Sequence, residues 1–230
     1  MPDHNIEKLN AGEKAIEFIK DGMLVGLGTG STVYYTIKKI GELVKEGLKV
    51  KAVSTSSSTL QLAYSLGIEI LPFNEIKNTD LTIDGADEVD PDLNGIKGGG
   101  GALLYEKLVA EVSKKIIWVV DSSKMVKKLG RFPLPVEVVQ FGYNHIFKKF
   151  EERNYKPVLR VRDNKPYLTD ANNFIIDLHL GEINNPLELH REIKNITGVV
   201  ETGLFLNLAD IVITGKGDDV EIIQRNFLSK

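Results

Sequence analysis

Short apolar runs alternate with polar turns and amphipathic stretches through the first half of the chain. That texture belongs to an α/β protein with a parallel sheet. Residues 4–20 place Ile6, Leu9, Ala15, Ile16 and Ile19 at near-helical spacing, and Asp21-Gly22 stops the helix. Residues 23–27 read as a strand, Gly28-Thr29-Gly30-Ser31-Thr32 as a turn, and 33–45 as a helix. The order repeats with a strand at 50–53, a hydroxyl-rich turn at 54–59 and a helix at 60–66. Residues 68–71 and 81–83 are further short strands, and 102–112 is a helix. Residues 115–120 form a continuous apolar run, the mark of a strand buried on both faces. In open parallel sheets ligands bind beyond the C-terminal strand ends. The turns at 28–32, 54–59 and 84–88 are therefore expected to converge on one crevice.

The texture changes at Phe132-Pro133-Leu134-Pro135, where two prolines mark an extended connector. Strand-like 136–141, helical 145–153, strands at 158–162 and 173–180, a helix at 187–194 and a strand at 199–205 follow. This is the order of a split βαβ, ferredoxin-like unit. The expected fold is α/β, with a main domain over 1–131 and 204–230 and a smaller α+β domain at 132–203 inserted before the C-terminal segment. The tail predicts a strand at 209–214 and a short helix at 218–227, with Asp218 as N-cap and Glu221 three residues on.

Composition narrows the function. The net charge of −3, with lysine pairs spread along 230 residues, argues against nucleic-acid binding. Cysteine is absent, so disulfides, thiolate metal sites and a cysteine nucleophile are excluded. With a polar N-terminus and no apolar run long enough to span a bilayer, a cytoplasmic location is expected.

The chemistry concentrates between Asp84 and Lys107: Asp84, Asp87, Glu88 and Asp90, then Lys97, a glycine run from Gly98 to Gly101, and Glu106. A glycine run is a poor core but brings bare N–H groups close to a ligand. The 28–32 turn lacks the third glycine of a dinucleotide fingerprint and the Gly-Lys-Ser/Thr of a P-loop. Small anions or hydroxyls suit it better than NAD or ATP; a plain glycine turn with a hydroxyl helix cap is the competing view. The acidic spacing does not match a calcium loop, and the four histidines form no ligand pair, so no metal is expected. Taken singly, Glu106 reads as an ordinary exposed helical residue, and Lys97 and Lys124 as surface lysines.

Together, the motifs change that balance. Gly26 to Thr32, Asp84 to Glu88, Ile96 to Leu103, Glu106-Lys107, Asp121 to Lys124, Phe132 to Val138 and Gly198 to Phe205 closely resemble the type A ribose-5-phosphate isomerase family, nearly end to end. Gly101 stands where many relatives have alanine, and Tyr105 where arginine is common. The resemblance implies a Rossmann-like main domain, a homodimer or higher oligomer, and a cofactor-free aldose–ketose isomerase of the pentose phosphate pathway. It makes Glu106 the proton acceptor, with Asp84 and Lys97 also catalytic. Thr29, Gly30, Ser31, Thr32, Asp84, Gly85, Ala86, Asp87, Lys97, Gly98, Gly99, Gly100 and Lys124 would line a phosphosugar, with Lys8 assisting at the phosphate. The rival is a phosphosugar-sensing module without catalysis. A regulator would need a DNA-binding domain, for which 1–22 is too short. A CoA-transferase-like enzyme would form a glutamyl thioester.

Overall fold

The computed structural model describes residues 4–225. In chain order its helices are α1 (His4–Lys14), α2 (Val33–Lys45), α3 (Ser57–Ser65), α4 (Leu103–Glu111), α5 (Tyr143–Glu152) and α6 (Pro186–Lys194). The strands are β1 (Leu24–Leu27), β2 (Lys51–Ser54), β3 (Glu69–Ile70), β4 (Leu81–Asp84), β5 (Glu88–Val89), β6 (Gly95–Ile96), β7 (Ile116–Asp121) and β8 (Leu134–Val138). They continue with β9 (Pro157–Leu159), β10 (Val161–Arg162), β11 (Lys165–Pro166), β12 (Phe174–Leu178), β13 (Val199–Thr202), β14 (Leu204–Phe205), β15 (Ile211–Lys216) and β16 (Asp219–Gln224). They pack as two units. The first takes Tyr105–Met125 and the described residues of Met1–Ala86 and Asn207–Lys230; the second takes Asp87–Leu104 and Val126–Leu206. The segment expected as the small domain, 132–203, falls inside the second unit, which also includes the acidic and glycine-rich stretch from 87.

The first unit is built on one sheet in the order β16-β15-β7-β4-β1-β2-β3. All its strands run parallel except β16, which returns antiparallel beside β15. From β3 to β15 this is the doubly wound Rossmann order, and its switch point lies between β1 and β4. The central strands read LVGL, LTID and IIWVVD, apolar enough for burial on both faces. Leu27, Ile37, Ile83, Ile117, Val119 and Ile213 make the middle of the core.

Helix α1 is fastened to this sheet by a charged residue. Glu7 is buried. Its carboxylate accepts from Ser122 N (3.0 Å), Ser122 Oγ (2.8 Å) and Gly217 N (2.9 Å). His4 Nδ1 lies 3.0 Å from it and 3.6 Å from Asp121. Burial alone would raise the Glu7 pKa, but these hydrogen bonds outweigh it and hold the group at about 2. Among the described residues, His4, Glu7 and Asp121 are a set close enough to share a metal ion. Their carboxylates are already engaged by protein donors, including Ser123 N at 3.0 Å from Asp121.

The second unit's main sheet has the order β13-β8-β12-β9, with every neighbouring pair antiparallel. Strand β12 thus lies between β8 and β9, which run the same way, as in the expected split βαβ. Leu134, Val136, Val138, Ile176 and Leu178 share a core with Ile146 and Phe150 of α5 and Ile193 of α6. A second, three-stranded sheet runs β14-β6-β5.

Three expectations need correction. The helix at 218–227 is instead β16 as far as Gln224, and residues 226 and 227 lie outside the described residues. Gly217 at φ +58° and Asp218 form the two-residue loop of a hairpin, since Lys216 pairs with Asp219. The Pro133–Pro135 connector is partly strand, because Leu134 and Pro135 pair with Leu178 and Asp177. The strand expected at 199–205 divides between two sheets, breaking at Gly203.

The depressed Glu7 pKa fixes a sign. Its stabilising contribution is present above the ordinary carboxylate range near 4.5 and is lost as pH falls toward about 2. Thermal unfolding from pH 2 to 7 should therefore give Glu7→Gln a lower Tm than wild type at neutral pH, with the gap closing at the acid end.

Candidate active site

At the switch point, β1 and β4 approach so closely that side chains are excluded on one partner. A methyl group on Gly28 would overlap the Asp84 carboxylate and lie 2.6 Å from Asp84 Cα. With that space open, the buried Asp84 side chain lies across the strand end. Its Oδ1 accepts from Thr29 N (3.1 Å) and Gly85 N (2.7 Å). A carboxylate held by two backbone N–H groups has a fixed direction.

Thr29 carries the connection onward. Its Oγ1 lies 2.8 Å from Thr55 Oγ1, 2.7 Å from Ser56 Oγ and 3.2 Å from Thr59 Oγ1. Thr59 Oγ1 donates to Gly28 O at 2.8 Å, and Ser56 caps α3 by accepting from Thr59 N at 3.1 Å. Of the three turns expected to converge, those at 28–32 and 54–59 meet Asp84 at the start of the 84–88 turn, whereas Asp87 and Glu88 belong to the second unit. The turn after β2 supplies a hydroxyl scaffold for the turn after β1.

Helix α2 leaves this scaffold without a side-chain cap, since Thr32 makes none. In its first turn Tyr34 N donates to Gly30 O at 3.0 Å and Tyr35 N to Thr32 O at 3.1 Å, and the positive end of its dipole follows exposed Gly30 and Ser31. Lys8 on α1 and Lys124 in the Ser122–Lys124 turn are half-buried, and Glu7 ties their two segments together through Ser122. Glu106, in the first turn of α4, is only 4% exposed. Its burial departs from the surface role that spacing alone favours.

The other expected residues belong to the second unit. Lys97 is buried, not a surface lysine. Burying an ammonium demands compensating partners, and Lys97 Nζ lies 5.3 Å from the centre of the Phe205 ring. Its backbone N–H donates to Gly203 O at 2.9 Å. Asp87 accepts from Gly99 N at 2.7 Å and so fixes the start of the glycine run. Gly98 is buried, whereas Gly99 and Gly100 are exposed.

The acidic residues after Asp87 serve the fold. Glu88 is buried and accepts from Gly130 N and Phe132 N, both at 2.7 Å. Asp90 closes its own loop by accepting from Asp92 N (3.0 Å) and Asn94 N (2.8 Å). Sequence reasoning missed the hydroxyls of Thr55 and Thr59 as partners of Thr29. The Ser/Thr-rich run was the available signal. It also missed Arg160 and Tyr167, which reach the glycine run from sixty residues away and carry no local signal.

Hydroxyl-rich turns and a fixed carboxylate at the switch point of a doubly wound sheet define a Rossmann-like α/β protein. The family model for ribose 5-phosphate isomerase A (phosphoriboisomerase A) matches residues 51–219. The chain is 54% identical over 223 residues to "Ribose-5-phosphate isomerase A" of Streptococcus gordonii, covering 96% of this chain and 99% of that one. The Limosilactobacillus reuteri protein of the same name is 50% identical over 224 residues, covering 96% and 98%. Among solved structures, a D-ribose-5-phosphate isomerase in complex with phospho-erythronic acid is 39% identical, with a TM-score of 0.93 over 97% of this chain and 100% of that one. The Methanocaldococcus jannaschii ribose 5-phosphate isomerase A is 38% identical, with a TM-score of 0.89 over 94% and 97%. The chain belongs to the ribose 5-phosphate isomerase A family.

Gly28→Ala is expected to cost about 1–3 kcal/mol of stability by forcing β1 and β4 apart. Urea unfolding would register it as a lower midpoint with an unchanged slope.

Proposed function

We propose that this chain interconverts D-ribose 5-phosphate and D-ribulose 5-phosphate through a cis-enediolate, in the non-oxidative pentose phosphate pathway. The observation that carries the reading is 54% identity to a ribose-5-phosphate isomerase A over 96% of the chain. Its setting is the cytoplasm, and its working form a homodimer or higher homo-oligomer without a cofactor. The absence of cysteine fits a reducing compartment. Among the described residues no helix is long and apolar enough to cross a membrane.

In this reading Glu106 removes the proton from C2 of the open-chain aldose. The electron pair forms the C1–C2 double bond, and O1 gains negative charge. Lys97 and backbone N–H groups of the glycine run stabilise that oxyanion; one such donor is typically worth roughly 2.7–4 kcal/mol. O1 takes up a proton, O2 gives one up as C2 becomes the carbonyl, and Glu106 returns its proton to C1. Asp84, aimed by Thr29 N and Gly85 N, opens the furanose ring and moves the hydroxyl protons. Asp87 holds hydroxyls. Thr29 to Thr32, Gly85, Ala86, Gly98 to Gly100 and Lys124 line the substrate, with Lys8 assisting at the phosphate. The buried carboxylate of Glu106 supports the base role, because exclusion of water strengthens its interactions with a bound ligand.

The test is an isomerase assay in EDTA, with ribose 5-phosphate as substrate and ribulose 5-phosphate followed by absorbance. Wild-type protein is expected to turn over without added metal. Glu106→Gln is expected to lose about 10²–10⁴-fold in kcat with its thermal unfolding unchanged. A folded Glu106→Gln enzyme with near-normal kcat would remove Glu106 from the proton transfer. An inactive wild type that still binds the sugar phosphate would favour the sensing module.

A further inference from the structure

The glycine run from Gly98 to Gly101 has no side chains to order it, yet three of its carbonyls are held. Arg160 Nη1 donates to Gly98 O at 2.8 Å and to Gly99 O at 3.2 Å. Tyr167 Oη donates to Gly100 O at 3.2 Å. Arg160 is itself fixed. Its Nε donates to Asp177 Oδ2 at 2.9 Å, and its Nη2 pairs with Asp177 Oδ1. Both side chains are largely buried, at 16% and 17% exposure. A bidentate guanidinium–carboxylate pair sets the plane of the fork as well as its position. The backbone around it is also tied down, by Arg160 N to Ile175 O and Tyr167 N to Arg160 O, both 2.9 Å.

The consequence lies on the other side of each peptide. In a trans peptide the N–H points away from the C=O. The Gly98 carbonyl bound to Arg160 turns Gly99 N–H toward Asp87, which accepts it at 2.7 Å. The Gly100 carbonyl bound to Tyr167 shares its peptide with Gly101 N–H, which donates to Gly98 O at 3.0 Å. Between them lies the Gly99–Gly100 peptide. Its carbonyl is on Arg160, and its N–H is carried by exposed Gly100, opposite the guanidinium. A positive group on the carbonyl also polarises the peptide and makes the N–H a stronger donor.

We propose that Arg160, oriented by Asp177, is a positioning residue that aims and polarises the Gly100 N–H as a donor to the oxyanion of the bound sugar. This rests on the isomerase reading above and deepens it. The pair contacts the loop only through carbonyl oxygens, so it acts through the peptide and not on the substrate. Lysine at 160 keeps the charge but loses the planar fork, and a single ammonium cannot hold Asp177 in two places while reaching Gly98 O and Gly99 O.

The test compares wild type with Arg160→Lys, Arg160→Gln and Asp177→Asn in the assay above, with inhibition by phospho-erythronic acid as a second readout. The carboxylate of that four-carbon acid resembles the enediolate. The expected result is a fall in kcat/KM of about tenfold or more, carried mostly by kcat. The inhibition constant should rise by a similar factor, because a transition-state mimic follows transition-state stabilisation. The inhibition constant separates positioning from simple loss of folded enzyme, which lowers apparent kcat but leaves inhibitor affinity alone. If Arg160→Gln fails to fold, Arg160→Lys and Tyr167→Phe carry the test, with Tyr167→Phe expected to have the smaller effect. Folded variants with wild-type kcat/KM and inhibition overturn this inference alone. A wild type without turnover overturns the isomerase reading and the inference with it.

Discussion

One carboxylate sets the geometry at the head of the parallel sheet. Backbones of neighbouring strands lie only about 4.8 Å apart, and at the end of β1 and β4 Asp84 occupies the space a side chain on residue 28 would need. Gly28 is therefore fixed by what lies across from it. With Asp84 in place, the Thr29 N–H is captured, and the Thr29 hydroxyl then meets Thr55, Ser56 and Thr59. Three turns from distant parts of the chain are thus registered by a short series of hydrogen bonds that begins at one side chain. The doubly wound order makes this possible, because it sets the first and fourth strands side by side at the reversal of the winding.

The second unit solves a different problem. It must hold a stretch of backbone that has almost no side chains of its own. Apolar packing cannot grip such a stretch, so polar groups do: Asp87 from one side, and Arg160 and Tyr167 on the carbonyls. The clamp is assembled on the face of the ferredoxin-like sheet opposite α5 and α6. Arg160, Glu137, Ile175 and Asp177 alternate there with the apolar residues that pack on α5 and α6. Glu137 on that face is buried, and burial raises its pKa although Asn173 and Thr169 donate to it. A polar face of this kind is costly to bury and stays ordered only through such pairings.

Periodicity exposed most of the architecture because the main sheet is locally written. Each βα step has its apolar run, its turn and its amphipathic helix in succession, and α2 begins and ends at 33 and 45 as the pattern predicts. The pattern failed where one set of residues serves two structures. Gly217-Asp218 followed by Glu221 suits a capped helix and a hairpin equally. The choice fell to β15, whose free edge takes β16 as a partner. Among the carboxylates, composition revealed the cluster but not the division of labour. Asp84, Asp87, Glu88 and Asp90 lie within seven positions, yet their partners are Thr29, Gly99, the 130–132 backbone and the 92–94 loop. Asp90 closes locally, but Thr29 lies 55 positions from Asp84 and Gly130 lies 42 from Glu88, separations that no local window spans. Arg160 was invisible for the same reason.

The chain's two ends carry a consequence for its synthesis. Helix α1 is made long before the Gly217 amide that Glu7 binds, 210 positions later. Strand β15, which pairs with β7, is also among the last segments made. The second unit lies almost wholly between these, with its sheet complete by Thr202. During translation it can close while the main sheet still lacks β15 and β16, with Glu7 of the first helix able to reach Ser122 but not yet Gly217. The carboxylate that fastens α1 therefore completes its set of donors only after the inserted unit has been made.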